Sequence, residues 1–485
     1  MIDQNVLFTL CTKPRVNPSI RARLVYDYVV DPFKVWCEFH APHEEKDHKD
    51  TYLDFLMEQG NEHEKKTIGK KYPLAEMHTF KTLEKGFESV IASMIKGTDT
   101  IGNAPLLFRP ERLSGIVDVL EKNTSSPSIF GDYHYTVNEI KLAKNIKGHH
   151  IKQGAFYNYL IGIIQGYTPE IFYLINREGK KTTHIYNESE LFAILGDIRD
   201  IYNGKNIAPT YGACDWPWET YANQRAIENK DLSLVGGVRK STKYKLLHGN
   251  ISTLDELACS TIPNLTKIKG IGEKSASKFR TRAQAIVQEK PIKLKNAVFD
   301  NVSTEIFLDL EGTGEQQTEH ELVAMDYLIG VTTRHEGKTE YISFLAKDLN
   351  SEKEMFIEFL DWLKTQEDYI IYHWHHYEKT HLKKISQRHE IIDSLDELLF
   401  SKLVDLYKIA NECFAFPTYG TGLKEIAKYV GFDWRDEDIS AMTSAVIYFR
   451  YVQTGNDEGL DRVIGYNEDD CNATMVINDW IVKNQ

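Results

Sequence analysis

Ile306-Phe307-Leu308-Asp309-Leu310-Glu311-Gly312-Thr313 is an apolar stretch interrupted by two acids at i and i+2. Alternate residues of a β-strand share a face, so both carboxylates point the same way. Two neighbouring carboxylates repel, and burial raises the cost, unless a cation sits between them. A buried strand of this kind is a metal site on electrostatic grounds. Far downstream, Tyr466-Asn467-Glu468-Asp469-Asp470 sets Tyr466 and Asp470 one helical turn apart. Between the two motifs, Tyr327–Thr333, Tyr341–Phe344 and Tyr369–His373 have the apolar, β-branched and aromatic content of strands. The tail from Leu423 reads as mostly helical.

These motifs resemble those of the DEDD exonucleases of the RNase H-like fold, in the subgroup whose third motif is Tyr-x-x-x-Asp. The resemblance implies that Asp309, Glu311 and Asp470 hold two metal ions and that Tyr466 positions the attacking water. The middle motif departs from the family pattern. Tyr372-His373-Trp374-His375-His376-Tyr377-Glu378 puts Glu378 where many members carry aspartate. Leu403–Leu406 and Tyr419–Lys424 fit the same domain. The histidines at 373, 375 and 376 read as a strand end rather than a zinc site, because no Cys or His partner set stands nearby.

Upstream the charge changes sign. Gly236 to Asn296 holds thirteen Lys/Arg against four Asp/Glu, a surplus of +9, so the rest of the chain carries −22 of the net −13. A basic segment between acidic flanks suits a phosphate-gripping module joined to carboxylate-rich sites; a solvated linker is the competing reading. Residues 231–249 are rich in Gly, Ser and Lys, as a linker would be. Residues 250–290 read as helical with a tight Gly-containing break. Ile268-Lys269-Gly270-Ile271-Gly272-Glu273-Lys274 then has the form of a hairpin between helices, with amide groups at the second helix start open to a phosphate. Lys267, Lys269, Lys274 and Lys278 surround that point. The pattern resembles a helix–hairpin–helix motif, which grips the DNA backbone without reading sequence; a plain αα-hairpin is the alternative.

The first 230 residues mix helices and strands. Ile20–His40 and Thr51–Tyr72 read as helices, Leu113–Leu120 and Tyr133–Leu142 as neighbouring strands, and Lys152–Gln165 as a helix. Asp118 stands inside the first strand, and Glu139 and Lys141 share a face of the second. Adjacent strands would bring the three together, two carboxylates for a hard cation and a lysine to orient water or neutralise phosphate charge. A surface ion pair between Glu139 and Lys141 is the plain alternative. Gln153 and Tyr157 follow at i, i+4, and Gly60-Asn61-Glu62-His63-Glu64 lies upstream. Together these elements resemble the RecB family of PD-(D/E)XK nucleases. That resemblance implies His63 as a further metal ligand, with Gln153 and Tyr157 placing the DNA strand. Some members carry a four-cysteine iron–sulfur cluster. Here Cys37 and Cys214 occupy suggestive regions without the other two, so no cluster is expected.

The remaining cysteines, Cys11, Cys259, Cys413 and Cys471, are scattered, which argues against a disulfide framework. No apolar run reaches the ~18 residues of a membrane span, and the start Met1–Asn5 lacks a signal peptide, so a cytoplasmic protein without membrane contact is expected. At 485 residues, with 42% hydrophobic and 27% charged content, several globular domains are expected. No internal repeat is visible.

The expected fold class is α/β throughout: a restriction-endonuclease-like core over 1–230, a basic linker and helical hairpin over 231–300, and an RNase H-like domain over 301–485. All three pieces together resemble the predicted RecB-family nucleases with a C-terminal RNase H-like domain. The expected function is Mg²⁺- or Mn²⁺-dependent hydrolysis of DNA phosphodiesters, with single-stranded or end-containing DNA preferred and two centres, in repair or processing. One domain as a silent nucleic-acid clamp, or RNA as the substrate, are the alternatives. No phosphate-binding Gly-x-x-x-x-Gly-Lys-Ser/Thr loop is present, so any unwinding would come from a helicase in trans.

Overall fold

The computed structural model describes residues 2–17, 20–49, 51–314, 316–317, 322–391 and 395–485. The chain is mixed α/β and divides into two units, one holding most of the chain up to Arg225 and the other Ala226–Gln485. Among the described residues no helix is long and apolar enough to cross a membrane.

The first unit is built on a seven-stranded sheet of β1 (Ile20–Arg21), β2 (Glu76–Met77), β3 (Thr100–Phe108), β4 (Leu113–Asn123), β5 (His134–Ile140), β6 (Ile171–Ile175) and β7 (Lys181–Ile185). β3, β4 and β5 form an antiparallel meander. The helix Gly148–Gln165 then crosses over and returns the chain as β6, parallel to β5. Helix Leu83–Lys96 feeds the meander; Thr82 caps its start through Lys85 N, and Gly97 ends it at φ 77°. The segment Ile20–His40, expected as one helix, is a two-residue strand followed by helices Ala22–Val30 and Pro32–His40. The break lies at Asp31-Pro32. Proline lacks the amide that would continue the first helix, and the Asp31 carboxylate caps Phe33 N at 3.2 Å.

In the second unit, residues 231–249 are structured rather than a linker. They form a short 3₁₀ turn at Leu232–Leu234 and the helix Lys240–His248. Leu232, Val235 and Leu246 are fully buried, and the buried Lys243 ammonium is neutralised by Asp231 at 2.6 Å. Composition suggested a linker because the polar residues here face inward as a pair or outward on one helix.

A repeat invisible in the sequence also emerges. The turn at Gly270 (φ 86°) has a counterpart 33 residues earlier at Gly237 (φ 92°). Ile271 N bonds Ile268 O at 3.0 Å and Val238 N bonds Val235 O at 2.9 Å. The next residues, Gly272 and Arg239, cap their helices with nearly the same backbone, φ −82°, ψ 168° and φ −78°, ψ 167°. Leu232 and Leu265, then Val238 and Ile271, occupy equivalent buried positions. Besides the buried aliphatics, only Gly237/Gly270 and Lys245/Lys278 recur among these positions, too little to register as a sequence repeat.

The C-terminal sheet follows β8 (Ile292–Lys293) and contains β9 (Thr304–Gly312); β10 (Gln316–Gln317) and β11 (Leu322–Val323) form a separate two-stranded pair. With β12 (Asp326–His335), β13 (Lys338–Leu345), β14 (Tyr369–His373) and β15 (Leu403–Asp405), the order is β13-β12-β9-β14-β15. β9, β12 and β13 are antiparallel neighbours, while β14 and β15 run parallel to β9. β16 (Phe414–Ala415) pairs back with β8. The long helix Leu460–Asn484 packs its Val463, Ala473 and Ile477 into the core formed with β9 and β12.

Candidate functional site

β9 is largely buried on both faces, and its inner stretch Ile306–Glu311 is apolar except at Asp309 and Glu311. Helix Leu460–Asn484 brings Asp470 onto the same point. One ligand oxygen from each of Asp309, Glu311 and Asp470 lies within 4.8 Å of the other two, and among the described residues no other group of three such side chains does so. Burial, then repulsion from Asp470, holds the Asp309 and Glu311 carboxyls well above the ordinary range. Burial pushes Asp470 up to about 7. A cluster that resists ionisation this strongly is chemically matched to a hard divalent cation, which would replace the missing countercharge.

Neighbouring side chains fix the carboxylates. Asn467 Nδ2 donates to Asp309 Oδ2 at 2.7 Å, and Tyr341 O–H donates to Asn467 Oδ1 at 2.8 Å. Asn467 fits only because Gly330, paired with Asp309 across the sheet, has no side chain; a Cβ there would lie 1.6 Å from Asn467 Oδ1. Trp434 Nε1 donates to Asp470 Oδ1 at 2.7 Å, and the Tyr466 hydroxyl also bonds Asp470. The Lys424 ammonium lies 4.9 Å from the Tyr466 ring centre and favours the ionised forms of Glu311 and Asp470. Lys424 sits in the first turn of the helix Leu423–Val430.

Glu378, at the start of helix Tyr377–Arg388, is buried and near enough to raise Asp309 and Glu311. It stands outside the tight group of three and interacts with His373 Nδ1 at 3.3 Å. His373 ends β14, and His375 contacts His376 and Tyr407. Tyr377 adds a phenol beside the carboxylates: a Cβ on Gly312 would lie 2.8 Å from its hydroxyl, and after burial its pKa is raised by Asp326, Glu311 and Asp309.

The first unit assembles a second acidic centre. The antiparallel register of β4 and β5 brings Asp118 beside Glu139. Asp118 Oδ2 accepts from Ile140 N at 2.6 Å, and Lys141 Nζ donates to Glu139 Oε1 at 2.8 Å. Burial, then Glu139, raises Asp118 well above the ordinary carboxylate range; burial also raises Glu139. Burial alone would lower Lys141, but Glu139 and Asp118 raise it. Tyr157 is buried over this site and fits because Gly115 leaves room; a Cβ there would meet its ring at 2.5 Å. Gln153 is half-buried on the same helix.

The upstream helix Thr51–Lys71 contributes Glu64 rather than His63 to this electrostatic group. Glu64 is raised by burial and then by Glu139, and it acts on Asp118 and Lys141 in turn. His63 lies beside Thr67, at 3.4 Å, and its pKa is lowered by burial, Arg177 and Lys66. Adjacent residues on a helix point about 100° apart, so a one-residue choice from sequence decides which side chain enters the site.

In the hairpin, Gly270 provides the left-handed turn and Gly272 precedes helix Glu273–Gln288 without a side-chain cap. Lys267, Lys269 and Lys274 are exposed around it. Lys278 belongs elsewhere: it lines a cavity of about 340 Å³ with His375, Asp405 and Tyr407. Sequence reasoning missed Asn467, Trp434, Tyr377 and Lys424 as parts of the C-terminal site. Only Lys424 carried a signal, in the Gly-Leu-Lys stretch, and its closeness to the acids emerges only on folding.

No curated protein matches the chain. A solved structure described as "3'-end specific recognition of histone mRNA stem-loop by 3'-exonuclease" is 13% identical, the match covering 45% of this chain and 88% of that one with a TM-score of 0.22. The RNase_H superfamily family model matches residues 306–482. The C-terminal part of the chain is an RNase H-like domain.

Proposed function

We propose that the chain is a divalent-metal-dependent nuclease that hydrolyses phosphodiesters of DNA, with two centres. The observation that carries this reading is the convergence of Asp309, Glu311 and Asp470 to within 4.8 Å in a site that raises all three carboxyls. Mg²⁺ or Mn²⁺ would supply Lewis-acid stabilisation of phosphate charge there. Asp309, Glu311 and Asp470 would hold the cation, Tyr466 would orient a water against Asp470, and the buried Glu378 would add charge beside them. Lys424 neutralises charge on the phosphate. In the first unit Asp118 and Glu139 are the ligand pair, Lys141 the cationic partner, and Gln153 and Tyr157 place the strand. The meander, crossover helix and parallel return strand around Asp118 and Glu139 support a RecB-like assignment.

The test is Mn²⁺-dependent degradation of end-labelled single-stranded DNA by wild type, Glu139→Ala/Lys141→Ala and Asp309→Ala/Glu311→Ala. Each double variant is expected to remove a distinct product pattern. Wild-type products from both variants would sink the reading.

A second reading makes the first unit a silent clamp. It is favoured by the salt link that already satisfies Glu139 through Lys141, and by the lack of a third ligand atom in a tight group there among the described residues. Loss of all cleavage in Asp309→Ala/Glu311→Ala alone would select it.

A further inference from the structure

The helix of the first hairpin repeat, Lys240–His248, faces the turn of the second across a groove. Two cavities of about 680 and 970 Å³ share Tyr244, Lys245 and Lys269 in their walls, so they adjoin and together make one channel-like groove. Its cations are Lys245, Lys267 and Lys269, with Arg239 and Lys240 at one end, and no Asp or Glu lines it. Among the described residues none of these five cations forms an ion pair; Lys267 meets only the neutral Asn264 Oδ1, at 3.2 Å. Five uncompensated cations held on one surface repel each other, which is tolerable where a polyanion is the occupant.

Tyr244 stands in the middle of this charge. It is 63% exposed, and its ring leans on His248 with centres 4.0 Å apart. An open aromatic ring contributes nothing to the core at this position, but among cations it is a stacking platform for a nucleobase. Lys245 reaches across from the first repeat to the second: a Cβ on Gly270 would lie 2.6 Å from its ammonium. The second glycine turn therefore makes room for a lysine of the first repeat, and the two repeats build the channel jointly.

We propose that this channel is a track for one nucleic-acid strand, with phosphates on Lys245, Lys267, Lys269, Arg239 and Lys240 and a base stacked on Tyr244. It rests on the nuclease reading for its choice of polymer. A single strand is the occupant because a duplex keeps its base faces stacked inside and offers Tyr244 none.

The experiment is fluorescence anisotropy with the full chain in EDTA. The probes are oligothymidylate and oligouridylate of about 20 nucleotides and a duplex of similar length. Tyr244→Ala is expected to weaken both single strands about tenfold and the duplex little, while Tyr244→Phe binds as wild type. Lys245→Ala/Lys269→Ala is expected to lower the slope of log K against log salt by about 1.4, at about 0.7 per phosphate contact. Equal weakening of single strand and duplex by Tyr244→Ala overturns the proposal, as does no weakening, or no binding by wild type. Asp309→Asn is measured alongside for binding and for Mn²⁺-dependent cleavage. Undiminished cleavage by it would count against the nuclease assignment of that centre while leaving the binding result intact.

Discussion

The two acidic centres solve the same electrostatic problem differently. Around Asp118 and Glu139 the chain supplies its own cation, Lys141, and the Asp118 carboxylate is further held by the Ile140 amide. Around Asp309, Glu311 and Asp470 three carboxyls crowd together, and Lys424 compensates from the margin beside Tyr466. The first centre sets one ammonium within hydrogen-bond reach of its carboxyls, although Asp118, Glu139 and Glu64 outnumber it; the second has Lys424 only at its margin. Buried charge without a partner is expensive, so the second should be the more metal-responsive part of the molecule.

The largest contrast is expected from conservative removal of one charge. Asp309→Asn should cut C-terminal cleavage about a thousandfold, since several kcal/mol of charge stabilisation are lost. It should also raise the metal-free melting temperature by relieving repulsion. Asp118→Asn should also abolish its own product pattern, but without that stabilisation, because it weakens an existing hydrogen-bonded arrangement. Differential scanning calorimetry with and without Mn²⁺, beside cleavage assays, checks both; stabilisation by both variants would erase the distinction.

Next come the glycines that make room at each centre. Gly330→Ala forces a Cβ to within 1.6 Å of Asn467 Oδ1, and Gly115→Ala meets the Tyr157 ring at 2.5 Å. Each should cost about 1–3 kcal/mol by overpacking, with Gly330→Ala the worse because Asn467 is already tied to Asp309 and Tyr341. Urea denaturation measures this. A milder effect, about tenfold on C-terminal cleavage, is expected for Lys424→Met, a loss of about 1.4 kcal/mol in stabilisation of developing charge. Steady-state kinetics should place it in kcat more than in KM.

The smallest effect is a pH signature. Asp470 titrates near 7 in the fold against an ordinary 3.8. A raised carboxyl pKa means that the proton favours the folded state. Metal-free stability from this group is thus fullest below about 4 and is lost as pH rises through about 7. Mn²⁺ should therefore raise the melting temperature more at pH 8 than at pH 5. An equal rise at both would show that the cluster is not where the metal acts.

Much of this contrast was legible before folding. The i, i+2 acids of β9 and the Tyr466/Asp470 turn needed only strand and helix periodicity, and those are local properties. Asp118 and Glu139 needed one further step, the pairing of neighbouring strands. What stayed hidden depends on long-range packing. Lys424, at a helix start, and Trp434, in a loop, reach the acids along a chain path that no local pattern encodes. Glu64 and His63 differ by one helical position, and only the docking of that helix decides between them. Residues 231–249 looked like a linker because composition does not reveal that Asp231 and Lys243 pair inside a core.

Arg282 sits within the second hairpin helix, yet its guanidinium donates to Gly236 O and to Asn411 Oδ1 at 2.5 and 2.6 Å. β8 likewise pairs with β16, whose residues come on the order of a hundred positions later. During synthesis the bond to Gly236 can close at once, but those to Asn411 and β16 must wait for distant sequence. The final anchoring of the hairpin segment is therefore late in assembly, and a ribosome stalled near residue 400 would display the basic hairpins without their mooring to Asn411 and β16.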